Sequence, residues 1–242
     1  MLPLLSPPRP GAAPRAAARP AVILPGLGNN TGDYARLAAA LQDDHGLPAA
    51  VVARVTRPDW LRNAAGLADA SYWRGTLRPR APCSTGGKIS LIGHSAGGWL
   101  ARVYMAEFEA SDISLLLTLG TPHLYIQGAP LLGNSAVASD EILAVDTPSE
   151  GGEAVIVSTN EKSTPSSVTW RARFVGQGYK QVCGRADVWG DDVVPEMAAH
   201  LEGALNISFD GVYHSPVGSD DEERPWYGSP AILKQWVHHL LS

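Results

Sequence analysis

Residues Ala21 to Leu24 form a short apolar run closed by Pro25-Gly26-Leu27-Gly28. An apolar run bounded by Pro and Gly predicts a buried strand followed by a tight loop. Thr31 then offers a helix N-cap; Tyr34, Leu37 and Leu41 follow at helical spacing, and Gly46 offers a stop. The β-branched run Ala50 to Val55 predicts a second strand, and Trp60 to Ala70 a weaker helix. Lys88 to Ile92 reads as a third strand, Leu100, Val103 and Tyr104 mark the next helix, and Leu115 to Leu119 is a fourth strand. Strand and helix alternating in this way predict an α/β protein with a mostly parallel sheet flanked by helices.

The pattern weakens in the middle of the chain. From Leu124 to about Thr169 the chain is rich in Gly, Pro, Ser and Thr, and an irregular cap or lid is expected over roughly residues 124–175. It holds one clear apolar β-branched run, Ala154 to Val157, and another near Val168 to Val175, and one sheet strand is expected within it. Periodicity returns with a strand at Asn206 to Phe209. Ser229-Pro230 then starts a final helix, packing through Leu233, Trp236, Leu240 and Leu241. No internal repeat is present. Residues 21–242 are therefore expected to form a single domain.

Composition narrows the class. The chain has 242 residues, 45% of them hydrophobic and 18% charged, which suits one globular domain with a sizeable core. A net charge of −5 without Lys/Arg runs gives nucleic-acid binding little footing. The acidic stretch Ser219-Asp220-Asp221-Glu222-Glu223 reads as a solvated loop. Cys83 and Cys183 make neither a disulfide framework nor a zinc site, and no metal or other cofactor is implied. No apolar run reaches the roughly 18 residues of a membrane helix. Residues 1–20 carry Arg9, Arg15 and Arg19 and no acid, the first acid being Asp33. Such a start reads as a transit-peptide-like targeting segment or a disordered tail. It is left out of the fold.

The strongest chemical signal is Gly93-His94-Ser95-Ala96-Gly97, a G-x-S-x-G motif between a strand and a helix. In a nucleophile elbow the serine sits on a sharp strand-to-helix turn. Gly93 and Gly97 are the structural positions where side chains would collide with that turn. Ser95 is thus the candidate nucleophile, and the Ala96 amide at the helix start is one candidate oxyanion donor. The loop after the first strand supplies the other, the Leu27 amide. Gly26-Leu27-Gly28 also faintly resembles a dinucleotide fingerprint, with Arg57 after the next strand. Its third glycine, Gly32, is out of register for that use.

The remaining roles fall late in the chain. Trp189-Gly190-Asp191-Asp192-Val193-Val194-Pro195 is the best acid loop, with Asp191 as the acid and Asp192 as the alternative. A structural reading competes, since both carboxylates would favour a helix starting near Val194. His214 lies in a glycine-punctuated loop after the last strand, where a general base belongs. His94 lies inside the elbow; His45, His200, His238 and His239 lie on or near helices. His123 is expected at the rim of the site. The order Ser95, Asp191, His214 is that of α/β hydrolases.

Together the stretches GHSAGGWLARVYM (93–105), LLLTLGTPH (115–123), DVWGDDVVP (187–195) and DGVYHSP (210–216) resemble plant and cyanobacterial lipase-like α/β hydrolases. That group is related to the lipase and GPI-inositol-deacylase-like branch. The resemblance spans most of residues 20–242. It implies an α/β-hydrolase fold and hydrolysis of small-molecule or lipid esters, with peripheral membrane contact among the expectations. A plastid location is implied by its plant members, with the cytoplasm otherwise. The chain departs from the pattern in two places. No amphipathic helix fits between Pro82 and Lys88, and the region from Thr121 to Asp191 is short, as though segments were deleted.

The residues thus point to a serine hydrolase of apolar acyl esters acting through an acyl-serine. Two rivals stand beside it: a non-catalytic ligand-binding protein or pseudoenzyme on the same fold, and a transacylase. Oligomeric state is not readable from the sequence.

Overall fold

The computed structural model describes residues 18–60, 88–107, 112–123, 153–159, 179–180, 185 and 187–241. Among the described residues, six strands form one sheet: β1 (Ala21–Leu24), β2 (Ala50–Val52), β3 (Ile89–His94), β4 (Ile113–Leu119), β5 (Glu153–Thr159) and β6 (Leu205–Phe209). Their order is β2-β1-β3-β4-β5-β6, and every neighbouring pair is parallel. Parallel strands need crossovers that cover both faces, so central strands are apolar throughout. β4 meets this rule, with every residue from Ile113 to Leu119 buried.

Alternation within each strand sends side chains to two cores. On one face Ala21, Ile23, Ile92, Leu115, Leu117, Leu119, Val155 and Val157 pack with Leu37, Leu41, Leu233 and Trp236. On the other, Leu91, Ile113 and Leu116 pack with Ala101, flanked by Val22, Leu24 and Tyr104. Each fully buried Leu or Ile contributes roughly 1.5–3 kcal/mol. The first face is covered by α1 (Ala35–Ala39) and by the last helix, Pro230–Trp236, which has Pro at its first turn as expected. The second is covered by α2, Ala96–Glu107.

Several boundaries differ from expectation. The N-cap before α1 is Asn30, not Thr31. Asn30 accepts from the Gly32 amide and Asp33 closes a capping box, opening a single 3₁₀ turn, Thr31–Tyr34. Thr31 instead spends its hydroxyl on the Ala53 carbonyl, 2.9 Å away, tying the helix start to the segment after β2. β2 ends at Val52, shorter than the run to Val55, because Val55 pairs with Thr31 and leaves the sheet. β5 does lie inside the expected cap region, between β4 and β6. All but the first residue of the helix expected from Trp60 to Ala70, the run Val168 to Val175, the stretch Pro82 to Gly87 and most of the expected cap region lie outside the described residues.

Topology fixes where a site can form. The chain runs from β1 outward to β2, then returns to place β3 on the other side of β1. The crevice beyond the carboxyl ends of β1 and β3 is the switch point where ligands bind in open α/β sheets.

Candidate active site

Ser95 stands at that crevice, between the last residue of β3 and the first of α2. Its φ is 53°, a left-handed conformation rare for a side-chain-bearing residue. The turn is held by its neighbours: the Ser95 amide donates to the Leu119 carbonyl at 2.9 Å, and Thr121 Oγ1 donates to the Ser95 carbonyl at 2.9 Å. The glycines on either side are required by close approach. A methyl on Gly97 would fall 2.1 Å from the Leu24 carbonyl oxygen, and one on Gly93 would fall 2.4 Å from Gly98 Cα. Both contacts are to backbone, so neither can yield cheaply.

The loop after β1 meets the same turn. Asn29 N donates to the Gly26 carbonyl at 3.1 Å, closing a turn around Leu27 and Gly28, with Gly28 at φ 79°. Gly26 lies so near that a methyl there would sit 3.0 Å from Ser95 Cβ. Neither the Leu27 nor the Ala96 amide has a hydrogen-bond partner among the described residues. The Gly26 amide is committed to the Tyr34 hydroxyl at 2.8 Å, which removes it from any pyrophosphate cradle.

Asp191 and His214 come together from two separate loops. His214 Nδ1 and Asp191 Oδ2 are 2.6 Å apart, and the His214 amide donates to the Asp191 carbonyl at 3.0 Å. Asp191 is 2% exposed, so its charge must be met by donors. Oδ1 accepts from the Val193 and Val194 amides at 3.1 and 2.7 Å, and Oδ2 accepts from the Tyr227 hydroxyl at 2.7 Å. Burial raises the carboxyl's pKa. The charge and hydrogen bond of His214, the Val194 amide and the Tyr227 hydroxyl outweigh burial and hold it below the ordinary value. The neighbouring Asp192 takes a different place. It is half-buried at φ 77°, and its amide donates to the Tyr179 hydroxyl. Of the two carboxylates, Asp191 is the one on His214. Its bond to Nδ1 makes that nitrogen the N–H donor and leaves Nε2, which has no partner among the described residues, as the basic atom.

His123 corrects an expectation. It is 1% exposed and lies within the fold, not on a rim: Nε2 is 2.9 Å from Thr118 Oγ1 and Nδ1 is 3.3 Å from Arg102. Burial, then the Arg102 charge, pull its pKa down to about 3. The reason is local: Thr118 and His123 are five residues apart across the Gly120 turn, so the ring folds back onto its own strand.

Three further residues belong to the site and were missed from sequence: Tyr227, Tyr34 and His94. His94 contacts the His214 loop directly, its ring centroid 4.7 Å from that of His214. Tyr34 carried only a helix-spacing signal, and Tyr227 none. Among the described residues, no group of His, Cys, Asp and Glu could hold a metal ion, and no helix is long and apolar enough to cross a membrane.

Comparison with known proteins bears on the fold. Residues 82–131, which span β3, the Ser95 turn, α2 and β4, match the family model of the PGAP1-like alpha/beta domain. Among solved structures, the chain is similar to the Bacillus licheniformis lipase BlEst2, with a TM-score of 0.56 and 18% identity over 97% of this chain and 96% of that one. It is also similar to the phospholipase PlaB from Legionella pneumophila, with a TM-score of 0.56 and 13% identity over 94% of this chain and 60% of that one. No curated protein matches the chain by sequence. The six-stranded parallel sheet, its helices and these structural likenesses show that the chain has the α/β-hydrolase fold.

Proposed function

We propose that the chain is a serine hydrolase of carboxylic esters, with Ser95 as nucleophile, His214 as general base and Asp191 as the residue that orients it. The observation that carries the reading is the His214–Asp191 pair at 2.6 Å, its imidazole 4.7 Å from the ring of His94, the residue that precedes a serine held at φ 53° on a strand-to-helix turn. In an unliganded site the serine–histidine hydrogen bond is often long and tightens only with substrate. Support also comes from the fold, and from the lipase and phospholipase that share it.

The chemistry runs as acyl transfer. His214 Nε2 takes the Ser95 Oγ proton as Oγ attacks the carbonyl carbon. The tetrahedral oxyanion is met by the Leu27 and Ala96 amides, each worth roughly 3 kcal/mol of barrier. Collapse breaks the ester C–O bond, and the proton on His214 passes to the leaving alcohol. Water, deprotonated by the same nitrogen, then attacks the acyl-serine; Ser95 regains its proton and the carboxylic acid departs. Asp191 stays ionised throughout. The substrate class is a neutral ester with an apolar acyl group, since Leu27 and Val193 expose large apolar side chains on the loops beside Ser95 and His214.

The test is labelling by a fluorophosphonate probe together with hydrolysis of p-nitrophenyl esters of graded chain length, with Ser95→Ala as control. Labelling and turnover that vanish in Ser95→Ala support the reading, and a preference for longer chains supports the apolar acyl group. A folded wild-type protein that neither labels nor turns over overturns it in favour of a ligand-binding protein on the same fold.

A further inference from the structure

A buried hydrogen-bond chain runs from the Leu27 turn to the His214 loop. The Tyr34 hydroxyl oxygen accepts from the Gly26 amide and from Asn29 Nδ2, both at 2.8 Å. Those two residues are the ends of the turn that carries the Leu27 amide. With its acceptor sites filled, the hydroxyl has its proton left to give, and the atom 2.6 Å away is His94 Nδ1. Burial, reinforced by the Asp33 charge, pushes the Tyr34 phenol up to about 12, so that proton is in place at neutral pH. The other His94 nitrogen, Nε2, lies 2.9 Å from the backbone carbonyl of His214. A carbonyl only accepts, so Nε2 carries the N–H.

Both ends therefore fix one neutral tautomer, Nδ1 accepting and Nε2 donating. Burial and the nearby His214 lower the His94 pKa to about 3, which keeps the ring neutral. The ring has no room to adopt another pose: Trp226 stands edge-on at 5.8 Å, and a methyl on Gly26 would fall 2.6 Å from Nδ1.

We propose that His94 is a positioning residue: through Tyr34 and through the His214 carbonyl it sets the spacing between the Leu27 turn, the Ser95 turn and the base. This rests on the serine-hydrolase reading above. His94 precedes Ser95 directly, so one side chain references all three groups that must converge on an ester carbonyl. Misplacement of such groups by about 1 Å can cost on the order of a hundredfold in rate.

The proposal is tested by turnover of a p-nitrophenyl ester and the rate of fluorophosphonate labelling. The variants are Tyr34→Phe, His94→Gln, His94→Asn and the two doubles with Tyr34→Phe, each checked by thermal melting. Gln at 94 can place an amide N–H toward the His214 carbonyl but loses the acceptor for Tyr34. Asn can keep the acceptor but loses the bond to His214. Tyr34→Phe is expected to lower kcat about tenfold or more with KM nearly unchanged. It should add little on top of His94→Gln, where the same bond is already lost, and add in full to His94→Asn. Wild-type kcat in Tyr34→Phe, or equal additivity with both His94 variants, overturns the proposal. If the His94 variants do not fold, Asn29→Ala, which removes one donor to Tyr34, replaces them; a fall in kcat supports the relay and an unchanged kcat sinks it. A wild-type protein inert to probe and ester removes the hydrolase reading itself. Active wild type with unaffected variants removes only the relay.

Discussion

The Tyr227 hydroxyl donates to Asp191 Oδ2 at 2.7 Å, the same oxygen that holds His214 Nδ1. One carboxylate oxygen thus anchors the imidazole and is itself anchored from the segment before the last helix. Both partners are fully buried, and the Tyr227 hydroxyl is pushed well above its usual pKa, by burial first and then by the Asp191 charge, so it remains a donor. Tyr227→Phe removes that donor and leaves a buried charge with one bond fewer. A hydrogen bond to a charged group is worth about 1.5–3 kcal/mol. The variant is expected to lose about that much in urea unfolding at pH 7 and to show a lower kcat with KM little changed. Unaltered stability would show that the bond contributes nothing.

Ser95, Asp191 and His214 could be picked out as candidates from the sequence because each lies in a short motif whose spacing encodes a turn. The same holds for Gly93 and Gly97, where a side chain meets backbone at 2.4 and 2.1 Å. The strands were legible because parallel, doubly covered strands are continuous apolar runs, as in β4. Tyr34 was hidden because a buried tyrosine has the same spacing signal whether its hydroxyl is used or not, and Tyr227 because it lies in no periodic segment at all. His123 was misplaced for a related reason. Proximity to Gly120-Thr121-Pro122 indicated a loop near the site, but the ring direction depends on Thr118 and Arg102, which only packing brings together. Asp191 over Asp192 was likewise a matter of direction: adjacent carboxylates differ in where their backbones point, and Asp192 at φ 77° points elsewhere.

That difference between the two carboxylates yields a prediction. Asp191→Asn keeps the shape but removes the charge that holds Nδ1 protonated, so His214 takes the wrong tautomer. Loss of about 10⁴ in kcat is the expected scale for that change in a serine triad. Asp192→Asn leaves the Asp191–His214 bond in place and is expected to stay within about threefold of wild type, since it keeps the side-chain shape and Asp191 is the carboxylate on His214. Steady-state kinetics on one ester decide it. A larger loss in Asp192→Asn than in Asp191→Asn would reverse the assignment.

Two glycine-to-alanine variants should separate steric from conformational demand. At Gly97 the added methyl meets the Leu24 carbonyl at 2.1 Å, and α2 would have to move away from β1. At Gly28 nothing lies within 4 Å, but φ is 79°. A left-handed conformation costs a side-chain-bearing residue roughly 1–2 kcal/mol. Gly28→Ala is expected to lose about that much and to fold normally. Gly97→Ala is expected to lose more, with overpacking costs of about 3 kcal/mol or above, and to abolish labelling at Ser95. Urea unfolding ranks the pair; equal losses would mean that the α2–β1 approach is softer than its geometry.

Acid should unfold the protein through its buried histidines before it reaches Asp191. Burial first, and a nearby positive charge second, lower His94 and His123 from 6.5 to about 3. Below pH 6.5 the unfolded chain takes up two protons that the folded one refuses, so stability falls as pH drops. The contribution of both rings is complete above pH 6.5 and is lost as the pH falls toward 3. Two protons correspond to a slope of roughly 3 kcal/mol per pH unit once the unfolded histidines are charged. Asp191, held below 3.8, acts in the same direction, since its share is present above 3.8 and lost only beneath it. A domain of ordinary stability, about 5–15 kcal/mol, would exhaust much of its margin on the histidines first. Unfolding free energies from urea titrations between pH 7.5 and 4.5 should therefore be level above pH 6.5 and fall below it with a slope approaching two protons. In His123→Asn, which cannot titrate, the slope should drop to one. A flat profile between pH 6.5 and 4.5 would show that the two rings are protonated in the folded protein.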